Sequence, residues 1–251
     1  MMRRGPDREH ARRRFEGRAL LAFVSAFAAA VMFAVLTLLV TSRFTPLLRL
    51  DRDTATELHE FALRHKGFTA AMKVISNVGS PTSWWLIFVP VVLWLVYRRL
   101  YRLATFVAVT AIGSSPLNNL IKLTVNRARP SFVDPVAAAA GKSFPSGHAQ
   151  AAIVACGILL VVFLPAIARR WRRWAILVAA LIVLLIGFSR IALGVHYLSD
   201  VVGAYLVGTV WLIGMVAAFR AWRAGQGKPV GELSDVISDG LEPEQGDRLA
   251  P

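Results

Sequence analysis

Six apolar runs, separated by polar segments and bracketed by clusters of arginine, constrain this chain more than any other feature. They cover residues 19–40, 81–97, 103–123, 146–167, 174–188 and 200–219. An apolar helix of about 20 residues matches the ~30 Å hydrocarbon core of a bilayer. Only a helix or a closed barrel satisfies its backbone polar groups there. The expected fold is all-α: an integral membrane bundle of six transmembrane helices. Composition agrees, since 56% of the 251 residues are hydrophobic. A mean hydropathy of +0.54 is too high for an ordinary soluble domain. The basic start followed by an apolar run resembles a signal peptide. That run is too long for one and no small-residue cleavage site follows it, so it reads as an uncleaved first span. The expected organisation is a basic arm (residues 1–18), one six-span domain (19–223) and a tail (224–251). The tail is rich in Gly, Pro and acids, a composition of disorder.

Charge sets the orientation. Basic residues gather at the N-terminus, at Arg98, Arg99 and Arg102, at Arg169, Arg170, Arg172 and Arg173, and at Arg220, Arg223 and Lys228. Six spans place all these clusters on one side, which the positive-inside rule makes cytoplasmic. The segments 41–79, 124–145 and 189–199 then face outward. The net charge of +14 reads as loops touching anionic lipid, not as a nucleic-acid surface, because it lies between spans. The single cysteine, Cys156, excludes an internal disulfide and a cysteine metal cluster.

Within the first outward segment, residues 54–75 mix apolar and charged positions and read either as a helix on the membrane surface or as a solvated loop. Ser115, Asn118 and Asn119 read as hydrogen-bonding glue between helices, ahead of a role in lining a path. Pro90 and Pro116 read as kinks. Trp84, Trp85, Trp171, Trp174 and Trp211 read as interface anchors, and His59 and His65 as solvated.

Three outward segments carry the chemistry. Lys122 and Arg129 lie seven residues apart, on one face of a helix that Pro130 would stop near Arg129. Two cations there are either ordinary interfacial anchors or a phosphate clamp, lysine as a point charge and arginine as a fork. In the run Pro145-Ser146-Gly147-His148, Ser146 suits an N-cap, and the free N–H groups of a helix start attract anions. Gly147 would allow close approach, and His148 could protonate a leaving oxygen. A capped helix with an interfacial histidine is the plainer alternative. In the third segment, His196 and Asp200 are four apart, hence on one helical face. The carboxylate would orient the ring and free its other nitrogen for attack. A His–Asp pair that only stabilises the sixth helix is equally consistent. Arg190 precedes them at the end of the previous span.

The order Lys-x6-Arg-Pro, Pro-Ser-Gly-His and Ser-Arg-x5-His-x3-Asp closely resembles the three-part signature of the type-2 phosphatidic acid phosphatase superfamily. That superfamily also contains vanadium-dependent haloperoxidases and glucose-6-phosphatases. The signature spans residues 122–200, and the six-span plan extends the likeness over roughly 19–220. The resemblance implies that Lys122, Arg129 and Arg190, with Ser146 and the Gly147 amide, bind the phosphoryl group. It implies His196 as nucleophile, Asp200 as its orienting partner, and His148 as the acid that protonates the leaving alcohol and then activates water. Arg127 is an extra cation with no assigned role. The outward segments offer no carboxylate cluster for Mg²⁺, so the expected activity is metal-independent, without a cofactor. It is hydrolysis of a lipid phosphomonoester or diphosphate: phosphatidic acid, phosphatidylglycerol phosphate or a polyprenyl diphosphate. The expected partners are that substrate and membrane lipids. The rival readings are a lipid phosphotransferase, a vanadate-using peroxidase, and a non-catalytic binder or transporter of anionic lipid. The expected location is the cell membrane, with cytoplasmic termini and an extracytoplasmic site.

Overall fold

The computed structural model describes residues 6–224, and among them it contains helices and no strands. The elements are α1 (Pro6–Thr41), α2 (Thr45–Arg64), α3 (Lys66–Val78), α4 (Trp85–Tyr97), α5 (Tyr101–Val125), α6 (Gly147–Phe163), α7 (Arg169–Ala192) and α8 (Leu198–Ala224). A short 3₁₀ turn, Leu164–Ala166, links α6 to α7. Residues 6–18 of the expected arm continue the first helix. Residues 1–5 and nearly all of the expected tail, 225–251, lie outside the described residues.

Among the described residues, four helices are long and apolar enough to cross a bilayer: Leu20–Thr41, Gly147–Ala166, Arg169–Ala192 and Leu198–Ala221. The other two expected spans differ for local reasons. Helix α4 is apolar but only 13 residues long. Helix α5 has the length but carries Ser114, Ser115, Asn118, Asn119 and Lys122. Large apolar side chains such as Leu20, Phe27, Leu38, Leu177 and Leu184 stand exposed along α1 and α7. That surface suits lipid contact, since water would penalise so large an apolar patch.

Helix α6 sits centrally, packed by α5, α7 and α8, while α1 lies along α8. The inner core includes Phe88, Leu95, Phe106, Val107, Ile158 and Ile186. Small residues let α6 and α8 approach: a Cβ on Gly157 would lie 2.1 Å from Leu212, and one on Gly208 would lie 2.4 Å from Ile153. Trp211 is part of this interior, donating its indole N–H to the Thr110 carbonyl at 2.9 Å. Trp84 is also buried. Neither is an interface anchor, because both fill space between helices; Trp171 and Trp174 remain exposed.

The segment read as surface helix or loop is two helices, α2 and α3, broken at His65. Asp51, Ala55, His59 and Ala62 form the buried stripe of α2 at helical spacing. Thr69 of α3 ties back to the Ala62 carbonyl at 2.6 Å. These helices pack on α7 and, for α2, on α8. His59 is not solvated: it is buried and stacks on Phe132 with ring centroids 3.9 Å apart. Its imidazole covers the turn at Gly194. His65 is exposed, as expected.

Candidate active site

The C-terminal ends of α5 and α7 and the N-terminal ends of α4, α6 and α8 meet at one end of the bundle. The arginine-bearing turns around residues 98–102 and 164–173 lie at the other ends of these helices. Where the helices meet they enclose a cavity of about 480 Å³. Lys122, Arg129, Gly147, His148, Arg190 and His196 all line it. Ser146 and Asp200 are buried behind that wall.

Helix α5 ends at Val125, four residues earlier than expected. Asn126 takes a left-handed conformation (φ 52°) and returns its N–H to the Lys122 carbonyl at 3.0 Å. Lys122 is thus in the last turn of α5, while Arg129 is on the loop beyond it. The two cations converge because the loop folds back, not because they share a helix face. Arg129 staples that loop: Nε donates to Gly141 O at 3.0 Å, Nη2 to Ala140 O at 3.0 Å, and Nη1 to Val195 O at 2.8 Å. Ala138, Ala139 and Ala140 so become part of the cavity wall.

Ser146 occupies the N-cap position of α6, but its hydroxyl makes no capping bond and has no partner. Its N–H donates to the Asp200 carbonyl at 3.0 Å, which locks the start of α6 to α8. A Cβ on Gly147 would sit 3.9 Å from Lys122 Nζ, so its absence keeps open the space before that cation. Arg190 projects from the last turn of α7 and donates Nη1 to the Ser76 hydroxyl on α3. Deeper in the cavity, Asn118 donates to Gln150 Oε1 at 2.8 Å, and Gln150 Nε2 donates to the Ser114 carbonyl at 2.9 Å. Asn118, Ser115 and Asn119 all reach the cavity wall, so Asn118 is both inter-helix glue and lining.

His196 is not on the helix that carries Asp200. It belongs to the turn before α8, where Gly194 has φ +66°, and Asp200 is in the first turn of α8. The pairing survives because Asp200 reaches back. Its Oδ2 accepts the Tyr197 N–H at 2.9 Å and the Ser143 hydroxyl. His196 Nδ1 faces both Asp200 Oδ2 and Ser143 Oγ at 3.4 Å. On the other edge, Arg129 Nη1 lies 2.9 Å from His196 Nε2. A guanidinium can only donate, so Nε2 accepts and the neutral ring carries its proton on Nδ1. The lone pair of Nε2 therefore points into the cavity. Burial, with Arg129 and Arg190 nearby, lowers the His196 pKa to about 4 despite Asp200, so the ring is neutral at pH 7.

Several residues of this site were not singled out in the sequence. Ser143, Ser76, Ser199 and Asp51 are all buried contributors, and Arg127, left without a role, joins Asp51 to Asp200. The signal for Asp51 was its place on the small-residue face of an amphipathic segment, where an unpaired carboxylate is costly.

The result is an all-helical bundle with a cation-lined pocket and a neutral, carboxylate-backed histidine. Residues 102–224 match the family model described as the PAP2 superfamily. Over these residues the chain is similar to that superfamily. It is 35% identical over 95 residues to phosphatidylglycerophosphatase B of Bacillus subtilis (strain 168). That alignment covers 37% of this chain and 46% of the relative, so it spans just under half of the relative's length. The fold is similar to the crystal structure of a transmembrane PAP2-type phosphatidylglycerolphosphate phosphatase from Bacillus subtilis. The TM-score is 0.69 at 22% identity, over 82% of this chain and 98% of that one.

Proposed function

We propose that the chain is a membrane lipid phosphatase that works through a phosphohistidine intermediate. The observation that carries this reading is the orientation of His196: its Nε2 lone pair faces a cavity walled by Lys122, Arg129, Arg190 and His148. A phosphoryl group entering the cavity takes the N–H of Arg129 from Nε2 onto an equatorial oxygen. Lys122, Arg190 and the Gly147 amide hold the remaining charge. The Nε2 pair forms the N–P bond as the P–O bond to the lipid breaks. His148 passes a proton to the departing alkoxide. Asp200 balances the positive charge that the phosphorylated ring acquires. His148 then takes a proton from water as that water attacks phosphorus, releasing inorganic phosphate and restoring Nε2.

No metal is needed for the charge. The buried carboxylates Asp51 and Asp200 are both engaged by Arg127, which leaves neither to take a divalent cation. The likeness to phosphatidylglycerophosphatase B makes phosphatidylglycerol phosphate the first substrate to test. Asn77, Ser115 and Asn119 in the cavity wall offer polar partners to a hydroxylated headgroup. A polyprenyl diphosphate brings no such hydroxyls.

We read α4 and α5 as the remaining two of six spans, with 19–223 as one membrane domain. The arginine clusters at the end opposite the cavity support cytoplasmic termini and an extracytoplasmic site in the cell membrane. The test is phosphate release by detergent-purified protein in EDTA, across phosphatidylglycerol phosphate, phosphatidic acid, a polyprenyl diphosphate and soluble phosphate esters. Release from a lipid, lost in His196→Ala, is expected. Strict dependence on Mg²⁺, or undiminished turnover in His196→Ala, would contradict the mechanism. Transfer to an added alcohol without free phosphate would favour a phosphotransferase.

A further inference from the structure

The charged group nearest Asp200 is not His196 but Arg127, a cation that does not line the cavity. Arg127 Nη1 donates to Asp200 Oδ1 at 2.7 Å and to Ser199 Oγ at 2.7 Å. Arg127 Nη2 donates to Asp51 Oδ2 at 2.6 Å. Asp51 in turn accepts the Ser199 N–H at 2.9 Å on Oδ1 and the Ser199 hydroxyl at 2.5 Å on Oδ2. The guanidinium lies over the Tyr197 ring at 4.3 Å. Side-chain exposure is 10% for Arg127, 1% for Asp51 and 0% for Asp200. An arrangement this buried is strongly directional, because charge-assisted bonds from two nitrogens of one planar guanidinium to two carboxylates fix both distance and plane.

We propose that Arg127, anchored by Asp51 of α2, is the positioning residue of the His196–Asp200 pair. The proposal rests on the reading of His196 as nucleophile. The geometry separates the two carboxylate oxygens of Asp200 by task. Oδ1 is held by Arg127 on the side away from the cavity, and Oδ2 is left for Tyr197 N–H, Ser143 and the Nδ1 edge of His196. Without the guanidinium, the carboxylate is free to rotate about its Cβ–Cγ bond and to exchange oxygens. Without Asp51, Arg127 loses the anchor that keeps it in the plane of Asp200. Two buried carboxylates share one guanidinium, so the cluster carries a net negative charge that a phosphorylated, positively charged His196 ring would neutralise. Helix α2 lies outside the region 102–224 matched by the superfamily. This chain therefore draws one support of its site from beyond that region.

The groups that face His196 are Arg129, Arg190 and Lys122 on the cation side, Asp200 and Ser143 at Nδ1, and His148 across the cavity. Removing Arg127 leaves Asp200 less compensated, so the ring holds a proton more readily and the acid limb of kcat/KM moves to higher pH. The experiment compares Arg127→Met, Arg127→Lys, Asp51→Asn and the double variant Arg127→Met/Asp51→Asn, in detergent, on the lipid that the full-length protein hydrolyses. Arg127→Met is expected to lower kcat ten- to hundred-fold with KM within two-fold, and to raise the acid limb. Arg127→Lys should return part of the limb but less of kcat, since a point charge cannot hold both carboxylates. The double variant should be no worse than the worse single one. Inhibition by inorganic phosphate, which reads the cation cradle, should be unchanged in all four. Wild-type kcat and an unmoved acid limb in Arg127→Met would overturn the proposal. So would a loss of kcat that Arg127→Lys fails to relieve while phosphate inhibition is lost as well, because that marks general collapse of the site. Undiminished turnover in His196→Gln would instead overturn the nucleophile reading, independently of the clamp.

Discussion

Replacing Asp200 by Asn tests how much the carboxylate contributes. The change keeps the shape and removes one negative charge from a fully buried position. In the resting site the Nδ1–Oδ2 separation of 3.4 Å is long for a hydrogen bond, so the loss before reaction is small. The loss grows when His196 gains positive charge on attacking phosphorus. Two unit charges 3.4 Å apart attract by about 5 kcal/mol at an effective dielectric near 20. Arg127, 2.7 Å from the other oxygen, offsets part of this, leaving about 2–4 kcal/mol. At ~1.4 kcal/mol per decade, kcat should fall roughly thirty- to thousand-fold. Asp200 does not line the cavity, so KM should stay within about two-fold under the rule that ground-state binding is unaffected. Steady-state phosphate release from the lipid substrate in EDTA reads both numbers. A kcat within three-fold of wild type would refute the charge argument, and a rise in KM with unchanged kcat would place Asp200 in binding instead.

Protonated His196 cannot attack, and its pKa is lowered to about 4, so kcat/KM should stay level from pH 7 to about 5 and fall with one proton near pH 4. The same depression means that His196 contributes stability above its unfolded value near 6.5 and loses that contribution as pH falls toward 4. Resistance to thermal inactivation should decline over that window. His148→Ala should slow lipid phosphates far more than an aryl phosphate, whose leaving group needs no proton; equal slowing would remove His148 from the acid role. Gly194→Ala should cost about 1–3 kcal/mol, because φ is +66° and a Cβ would lie 2.9 Å from Phe132. A lowered Tm with reduced kcat is expected, and an unchanged Tm would contradict the strain argument.

Much of this site was legible along the chain, and what was not has physical causes. The signature residues could be read because their spacing is local. Cation, anion-binding helix start and histidine each sit within a few residues of a span end. The details failed where backbone conformation decides. Asn126 ends α5 with a single left-handed residue, so the expected two-turn alignment of Lys122 and Arg129 does not occur. The turn at Gly194 takes His196 off the helix, so its four-residue spacing to Asp200 pairs them across a helix start instead of along a face. The Asp51–Arg127–Asp200 bridge was invisible for another reason. Its members lie far apart in sequence, and only the packing of α2 onto α8 brings them together. Span counting met a similar limit. Helix α5 reads weakly as a span because the polar residues that line the cavity lower its hydropathy.

If the phosphoryl group passes to His196 before it passes to water, the stereochemistry at phosphorus records two displacements. A lipid phosphomonoester made chiral with oxygen isotopes and sulfur would be hydrolysed in isotopically labelled water, and the configuration of the released thiophosphate determined. Two successive in-line displacements predict net retention. Net inversion would mean a single attack by water and would contradict the phosphohistidine account.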